Sequence, residues 1–281
     1  MTDIISQSEV YIAIVIYNSL LSESESCCSL NKISGYFKTV IIFDNSDTSQ
    51  YLEENKEFSK KNNYIYISKK KNLGLSKAYN IILEYLDGKD GIIIWMDDDT
   101  WITKKYFELL LENIDKEFSI YVPIIKAQNG KIYSPNNEGI LKNRQLKSIE
   151  SATKITKFNA INSCMAVNLS VYKNYRYDEK LFLDQVDHDF CRTQRIRNVK
   201  SKVLPIIIEH NLSMKGNTYN SDSIKKRYKI LVPDLLYYYR KRGRIMGKIG
   251  YIKILLLSFK ESMKCKDLSI MKNSVKLLLN H

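Results

Sequence analysis

The chain has 281 residues, 44% of them hydrophobic and 27% charged, with 10 Gly and 4 Pro. That excludes a disordered, collagen-like or linker-rich protein and suits one sizeable core with an appendage. Five scattered cysteines without a CxxC pair, and a start that lacks an apolar signal segment, read as a reduced, cytoplasmic protein. No apolar run approaches the roughly 18–20 residues that a membrane-spanning helix needs. The net charge of +13 is uneven: residues 1–210 hold 28 Lys/Arg against 27 Asp/Glu, leaving 16 against 4 for residues 211–281. A neutral body with a basic tail implies that the tail meets something anionic.

Val10 to Ile16 is a β-branched apolar run, as in a strand buried on both faces. A polar helical stretch from about Leu20 to Ile33 follows, then a second strand, Thr39 to Phe43, stopped by the turn-formers Asp44, Asn45 and Ser46. Glu53 to Lys61 suits an exposed helix and Tyr64 to Ile67 a third strand. Leu75, Tyr79, Ile82 and Leu86 recur at helical spacing behind Gly74, and Ile92 to Met96 is a fourth strand. Strands alternating with helices predict βαβ units and a mostly parallel sheet flanked by helices. Ligands of such sheets bind outside the strands' carboxyl ends. Three of those ends carry polar groups fit for a nucleotide: Tyr17-Asn18, Asp44-Asn45-Ser46 and Asp97-Asp98-Asp99.

Beyond residue 100 the pattern is less regular. Tyr121 to Ile125, Ile132-Tyr133, Ile155 to Phe158, Ala160 to Val167 and Val203 to Ile208 read as strands, and Val186 to Arg197 as a helix. From about Ser221 the chain turns to basic helices: Ile224 to Arg240, Met246 to Met263 and Leu268 to Leu279. In the second of these, Ile249, Ile252, Leu256 and Phe259 form an apolar stripe.

Three adjacent carboxylates at the mouth of the crevice repel one another unless a cation compensates. Mg²⁺ or Mn²⁺ on hard oxygen ligands would in turn bridge a diphosphate. The structural alternative is a solvated turn with Asp99 or Thr100 capping a helix near Ile102. Asp187 and Asp189 lie in the helix-like LDQVDHDFC, where an acid could take a proton from an acceptor hydroxyl or simply pair with Arg192 or Arg195.

YN after the first strand, DNS after the second, NLGLSKAYN after the third and MDDDT after the fourth resemble the family 2 glycosyltransferases of the GT-A fold. LDQVDHDFCRTQR and the later EHN extend the resemblance, which covers about residues 8 to 212 and is nearest to rhamnosyl- and galactofuranosyl-type enzymes. It implies a catalytic domain over 1–212 with a basic helical appendage over 213–281. It also implies inverting transfer of a hexosyl or deoxyhexosyl group from a UDP- or dTDP-sugar to a glycan acceptor, in bacterial surface polysaccharide synthesis. By resemblance Asp187 is the base, with Asp184 a rival because Val186 stands where many members carry an acid. Asp97, Asp99 and His210 would hold the metal. Tyr17, Asn18, Asn45, Asn72, Gly74, Asn80 and Asp98 would line the donor side, Asp44 would read the nucleobase, and Ser163 and Asp189 would lie toward the acceptor. The tail is expected to hold the enzyme at the anionic inner face of the cell membrane, near a lipid-linked acceptor, or to pack on the body or on a second copy in a homodimer. A nucleotidyltransferase is disfavoured because Tyr17-Asn18-Ser19-Leu20 has no phosphate-loop glycine. A nucleic-acid-binding protein is disfavoured because carboxylates line the main crevice.

Overall fold

The computed structural model describes residues 10–33, 35–127, 130–210 and 220–280, without the His210 side chain. β1 (Val10–Ile16), α1 (Glu25–Leu30), β2 (Thr39–Asp44), α2 (Ser49–Lys61), β3 (Ile65–Ser68), α3 (Leu75–Tyr85) and β4 (Ile92–Met96) form the first half. Their strands pair in parallel in the order β3-β2-β1-β4. The side-chain period of two splits each strand between two cores. Tyr11, Ala13, Ile41, Phe43, Ile93 and Trp95 face a core with Ala78, Tyr79, Ile82 and Leu83 of α3. Val10, Ile12, Ile14, Val40, Ile42, Ile92 and Ile94 face the opposite one with Cys27 and Leu30 of α1. Burial on both faces is what the continuous apolar runs predict.

The second half adds α4 (Lys104–Asn113), β5 (Ile120–Ala127), β6 (Ile132–Ser134), β7 (Asn136–Asn137), β8 (Arg144–Gln145), α5 (Ile149–Thr153), β9 (Phe158–Asn159), β10 (Met165–Asn168), α6 (Val186–Ile196) and β11 (Ser201–His210). β10 runs antiparallel between β4 and β5, β11 lies parallel beside β5, and β7, β8 and β9 form a small separate sheet. Three expectations need correction. Residues 155–157 and 160–164 are not strand; Cys164 takes a left-handed φ of 58°, which breaks an extended run. The helix expected from Leu20 divides into a 3-10 turn, Leu21–Glu23, and α1, because the Ser24 hydroxyl accepts the Cys27 N–H at 3.2 Å and starts a new cap. The helix expected near Ile102 starts at Lys104 behind Thr103, so neither Asp99 nor Thr100 caps it.

α7 (Ser221–Arg240), α8 (Arg244–Cys265) and α9 (Ser269–Leu279) complete the chain. They share the body's core: Tyr228, Val232, Leu235, Tyr239, Ile254 and Ile270 belong to the same buried cluster as Trp95 and Phe190. The expected division between residues 212 and 213 falls outside the described residues. Among those described, no helix is long and apolar enough to cross a membrane.

Candidate active site

β4 delivers Asp97, Asp98 and Asp99 to the carboxyl edge of the sheet, and serines around α1 hold the acidic turn. Ser24 Oγ donates to the Asp98 carbonyl at 2.7 Å, Ser26 Oγ donates to the carbonyls of Asp97 and Thr100, and Ser19 Oγ donates to Asp98 Oδ2 at 3.1 Å. From the loop before β10, Ser163 Oγ donates to Asp97 Oδ2. The unusual backbone of Cys164 sits beside this contact, and the Cys164 carbonyl is pinned by the Tyr106 hydroxyl at 2.7 Å.

Asp187 lies in the first turn of α6, just after Gln185, which takes a left-handed φ of 66°. Its Oδ2 accepts the Asn162 N–H at 3.2 Å, while its Oδ1 is buried without a partner. Burial, then the nearby Asp97 charge, push its carboxyl up to about 7. The cause is visible below it. Phe190 of α6 packs on Tyr172, Tyr175 and Tyr177, Trp95 packs on Tyr79, Tyr172 and Tyr177, and Trp95 Nε1 donates to the Tyr172 hydroxyl at 2.8 Å. An aromatic floor solvates charge poorly. Tyr79 is also raised, first by burial and then by Asp187 and Asp97, which puts it beside both carboxylates.

The other acceptor-side acids are committed elsewhere. Asp184 makes a two-pronged ion pair with Arg227, the Nη2–Oδ1 arm being 2.6 Å. Asp189 is 4% exposed and takes Lys241 Nζ at 2.8 Å, a lysine that also reaches Asp178 Oδ2 at 2.8 Å. Sequence reasoning missed the residue that sets this loop. Asp234 of α7 accepts the N–H groups of Phe182 (2.9 Å), Leu183 (2.7 Å) and Asp184 (2.7 Å). Three consecutive N–H groups on one carboxylate fix the backbone leading into α6.

On the donor side, Tyr17 is exposed at the crevice rim, and its hydroxyl donates to Asp47 Oδ2 at 3.3 Å while Asn18 Nδ2 donates to Asp47 Oδ1 at 3.1 Å. Asp47 went unnoticed because an acid in a turn is unremarkable in sequence. Asp44 is fully buried and accepts from Ser46 N–H (2.9 Å), Asn55 Nδ2 (3.0 Å) and the Tyr66 hydroxyl (2.9 Å), bonds that hold its own loop at the end of β2. Asn45 likewise bridges the Leu73 N–H and the Gly74 carbonyl, and Asn72 Oδ1 accepts the Gly74 N–H at 3.0 Å. Gly74 has φ +81°, and a Cβ there would meet the Phe182 carbonyl at 2.6 Å. Only glycine permits that approach. Asn80 is 5% exposed and ties to Tyr177 and Glu179, which braces the fold.

His210 ends β11 opposite Ala127, and its side chain lies outside the described residues. Among those described, no group of three or more His, Cys, Asp or Glu side chains is assembled to hold a metal. The donor set nonetheless fits a hard cation, because the Asp97 charge raises Tyr79, Cys164 and Asp187 after burial has done so. A divalent ion there would relieve that field.

A crevice of this kind, at the carboxyl ends of a mainly parallel sheet with acids after β4, defines the GT-A class of α/β proteins. The glycosyl transferase family 2 model matches residues 11–176, and the chain belongs to that family. Solved structures agree on the fold. GalNAc-T7 with UDP, GalNAc and Mn²⁺ superposes with TM-score 0.60 at 14% identity, over 89% of this chain and 55% of that one, so this chain spans about half its length. The mannosyltransferase PcManGT from Pyrobaculum calidifontis, in complex with GDP-Man and Mn²⁺, gives 0.57 at 11% identity over 100% and 78% of the two chains. S. aureus TarS 1–349 in complex with UDP gives 0.52 at 17% identity over 81% and 65%. A sequence search of curated proteins finds no match.

Proposed function

We propose that the chain is an inverting glycosyltransferase that moves a hexosyl or deoxyhexosyl group from a UDP- or dTDP-sugar to a hydroxyl of a lipid-linked glycan, in bacterial surface polysaccharide synthesis. The observation that carries the reading is Asp187: a carboxyl held near 7, with one orphaned oxygen, beside Asp97 and at the end of the nucleotide crevice. Asp184, the rival, is neutralised by Arg227 and serves the loop. Asp187 takes the acceptor proton as the new C1–O bond forms opposite the departing nucleoside diphosphate, so the anomeric configuration inverts and no covalent enzyme intermediate is needed. The Asn162 N–H holds the base, while Tyr17, Asn18 and Asp47 form the rim against which the nucleoside would rest. Asp97 and Asp99, with His210 as a third ligand, would hold Mn²⁺ or Mg²⁺, which would offset charge on the leaving diphosphate.

Chelation is therefore expected to remove transfer, Mn²⁺ or Mg²⁺ to restore it, and His210→Ala to raise the metal concentration required. Release of UDP or dTDP in a coupled assay reads this. Undiminished turnover in excess EDTA would sink the metal assignment.

The tail supports a peripheral position at an anionic membrane surface. α8 turns Gly250, Ile254, Ser258 and Ser262 inward and leaves Ile245, Ile252, Leu256, Phe259 and Met263 exposed. An outward apolar stripe among lysines suits the interface of an anionic bilayer. Because α7 is part of the core, removing the tail would unfold the body, so point variants are the proper test. Phosphatidylglycerol vesicles are expected to co-sediment the full chain at low salt, and the combined Ile252→Ser, Leu256→Ser and Phe259→Ser variant much less. Equal binding by both would rule the stripe out as an anchor.

A further inference from the structure

A cavity of about 420 Å³ opens between α8, the end of α7, and the loop around Gly139 to Asn143. Four cations line it: Lys142, Arg242, Lys253 and Lys260. Gln185 and His188, which flank Asp187 in sequence, form the wall nearest the base, and Leu256 and Leu257 form the wall toward the exposed stripe of α8. The donor crevice lies elsewhere, at the carboxyl ends of β1, β2 and β4. We propose that this cavity binds the phosphate or diphosphate head of a lipid-linked acceptor, with its apolar chain running out along Leu256 and Phe259.

Three features ask for an anion. Arg242 is 11% exposed in its side chain and leans on Glu138 at 3.4 Å, but Arg192 and Arg195 share that one carboxylate. The Arg242 Nε is buried with no partner. Among the described residues, Lys142, Lys253 and Lys260 form no ion pair; Lys253 Nζ donates only to the Tyr239 hydroxyl at 3.2 Å. Lys253 and Arg242 also lie over the same Tyr239 ring, at 5.3 and 5.7 Å. Two cations sharing one ring repel each other, and burial followed by the Arg242 charge holds the Lys253 ammonium below its usual range. A phosphate between them would receive charge-assisted hydrogen bonds from both and remove the repulsion. The lipid source follows from continuity: Leu256 both lines the cavity and stands 58% exposed on α8, with Phe259 50% exposed next to it. Such an acceptor would have its head group held against Gln185 and His188, the residues on either side of Asp187 in sequence, which favours presentation of its terminal sugar hydroxyl to Asp187.

The inference rests on the transferase reading, and one set of titrations separates the two. Calorimetry on the full chain would use farnesyl diphosphate, inorganic pyrophosphate and farnesol as probes, with UDP and Mn²⁺ titrated in parallel to report the donor crevice. Farnesyl diphosphate is expected to bind, pyrophosphate to bind at least about tenfold more weakly for want of the apolar contacts, and farnesol not measurably. Lys253→Met keeps the stem and removes the charge; Lys260→Glu lies on the exposed surface and leaves packing alone. Each is expected to weaken farnesyl diphosphate about tenfold with UDP affinity unchanged. Unchanged affinity in both variants would place the diphosphate in the donor crevice and overturn the proposal. Equal affinities for pyrophosphate and farnesyl diphosphate would also overturn it. A chain that binds farnesyl diphosphate through Lys253 and Lys260 but does not bind UDP keeps this cavity and refutes the transferase reading.

Discussion

Asp187→Asn is expected to lower kcat for transfer by about 10²–10⁴-fold while the donor's Kd stays within a factor of about three, because a base acts on the acceptor and not on the donor. Full activity in Asp187→Asn with a dead Asp184→Asn would show that the base is the other carboxylate. The same group imposes a pH dependence. With its carboxyl at about 7, wild-type kcat/KM is expected to fall on the acid side as Asp187 takes up a proton, with the limb at or below pH 7 because a cation at Asp97 draws it lower. Stability carries the opposite sign. Between the ordinary carboxylate range and about 7 the folded chain holds a proton that the unfolded chain has lost, so folding weakens as pH rises through that window. Asparagine carries no such charge. The melting temperature of Asp187→Asn relative to wild type is expected to climb from pH 5 to pH 8, and a difference constant with pH would show that Asp187 is not held near 7.

Asp234→Ala is expected to cost about 3–5 kcal/mol of stability, since it strips three partly buried N–H groups of a buried charged acceptor. Asp234 is 2% exposed and its carboxyl is raised by burial, with the Phe182, Leu183 and Asp184 N–H groups opposing that rise. Asp234→Asn, which keeps one good acceptor, should lose less. Both variants should lower kcat more than they raise the donor KM, because the loop they release leads into Gln185 and Asp187 and not to the nucleotide rim. Urea denaturation and steady-state kinetics read the two effects. A cost under about 1 kcal/mol for the alanine variant would mean that the loop is held by other contacts, Arg227 to Asp184 foremost.

β1, β2 and β4 could be read from sequence because both faces are buried, leaving long β-branched runs with turn residues at their carboxyl ends, whereas β3, at the sheet edge and only partly buried, showed as a short aromatic and β-branched run. Val10–Ile16 and Ile92–Met96 match their expected bounds for that reason. The acids after β4 and at the start of α6 were equally visible, the first as three adjacent carboxylates at a strand end and the second as a pair in a helix-like stretch. What sequence could not supply is the partner of each polar group. Asp234 lies about fifty residues from the N–H groups it accepts, and nothing local marks it. Nothing local shows that Asp44 takes Asn55 and Tyr66 as partners, or Asn80 the Tyr177 backbone. The loop 160–164 reads as strand by composition, yet its job is to bring Ser163 to Asp97. α8 offered a stripe that could have faced a core, and packing divided it: Ile249 lies against the core beside the buried Gly250, Ile254 and Ser258, where a Cβ on Gly250 would meet Tyr239 at 2.5 Å, while Ile252, Leu256 and Phe259 stay exposed.

The central claim, that the crevice is built for a nucleotide-sugar held with a metal, is tested most directly by thermal shift of the full chain against a panel of nucleoside diphosphate sugars with Mn²⁺ and with EDTA. A ligand at about 100 times its Kd adds about 2.7 kcal/mol, which for a chain of this size is a rise of about 4–5 °C. The account predicts such a rise with a UDP- or dTDP-sugar and Mn²⁺, its loss in EDTA and in Asp97→Asn, and its persistence in Asp187→Asn. A chain whose melting temperature moves with none of the panel, or moves equally with and without metal, would contradict it.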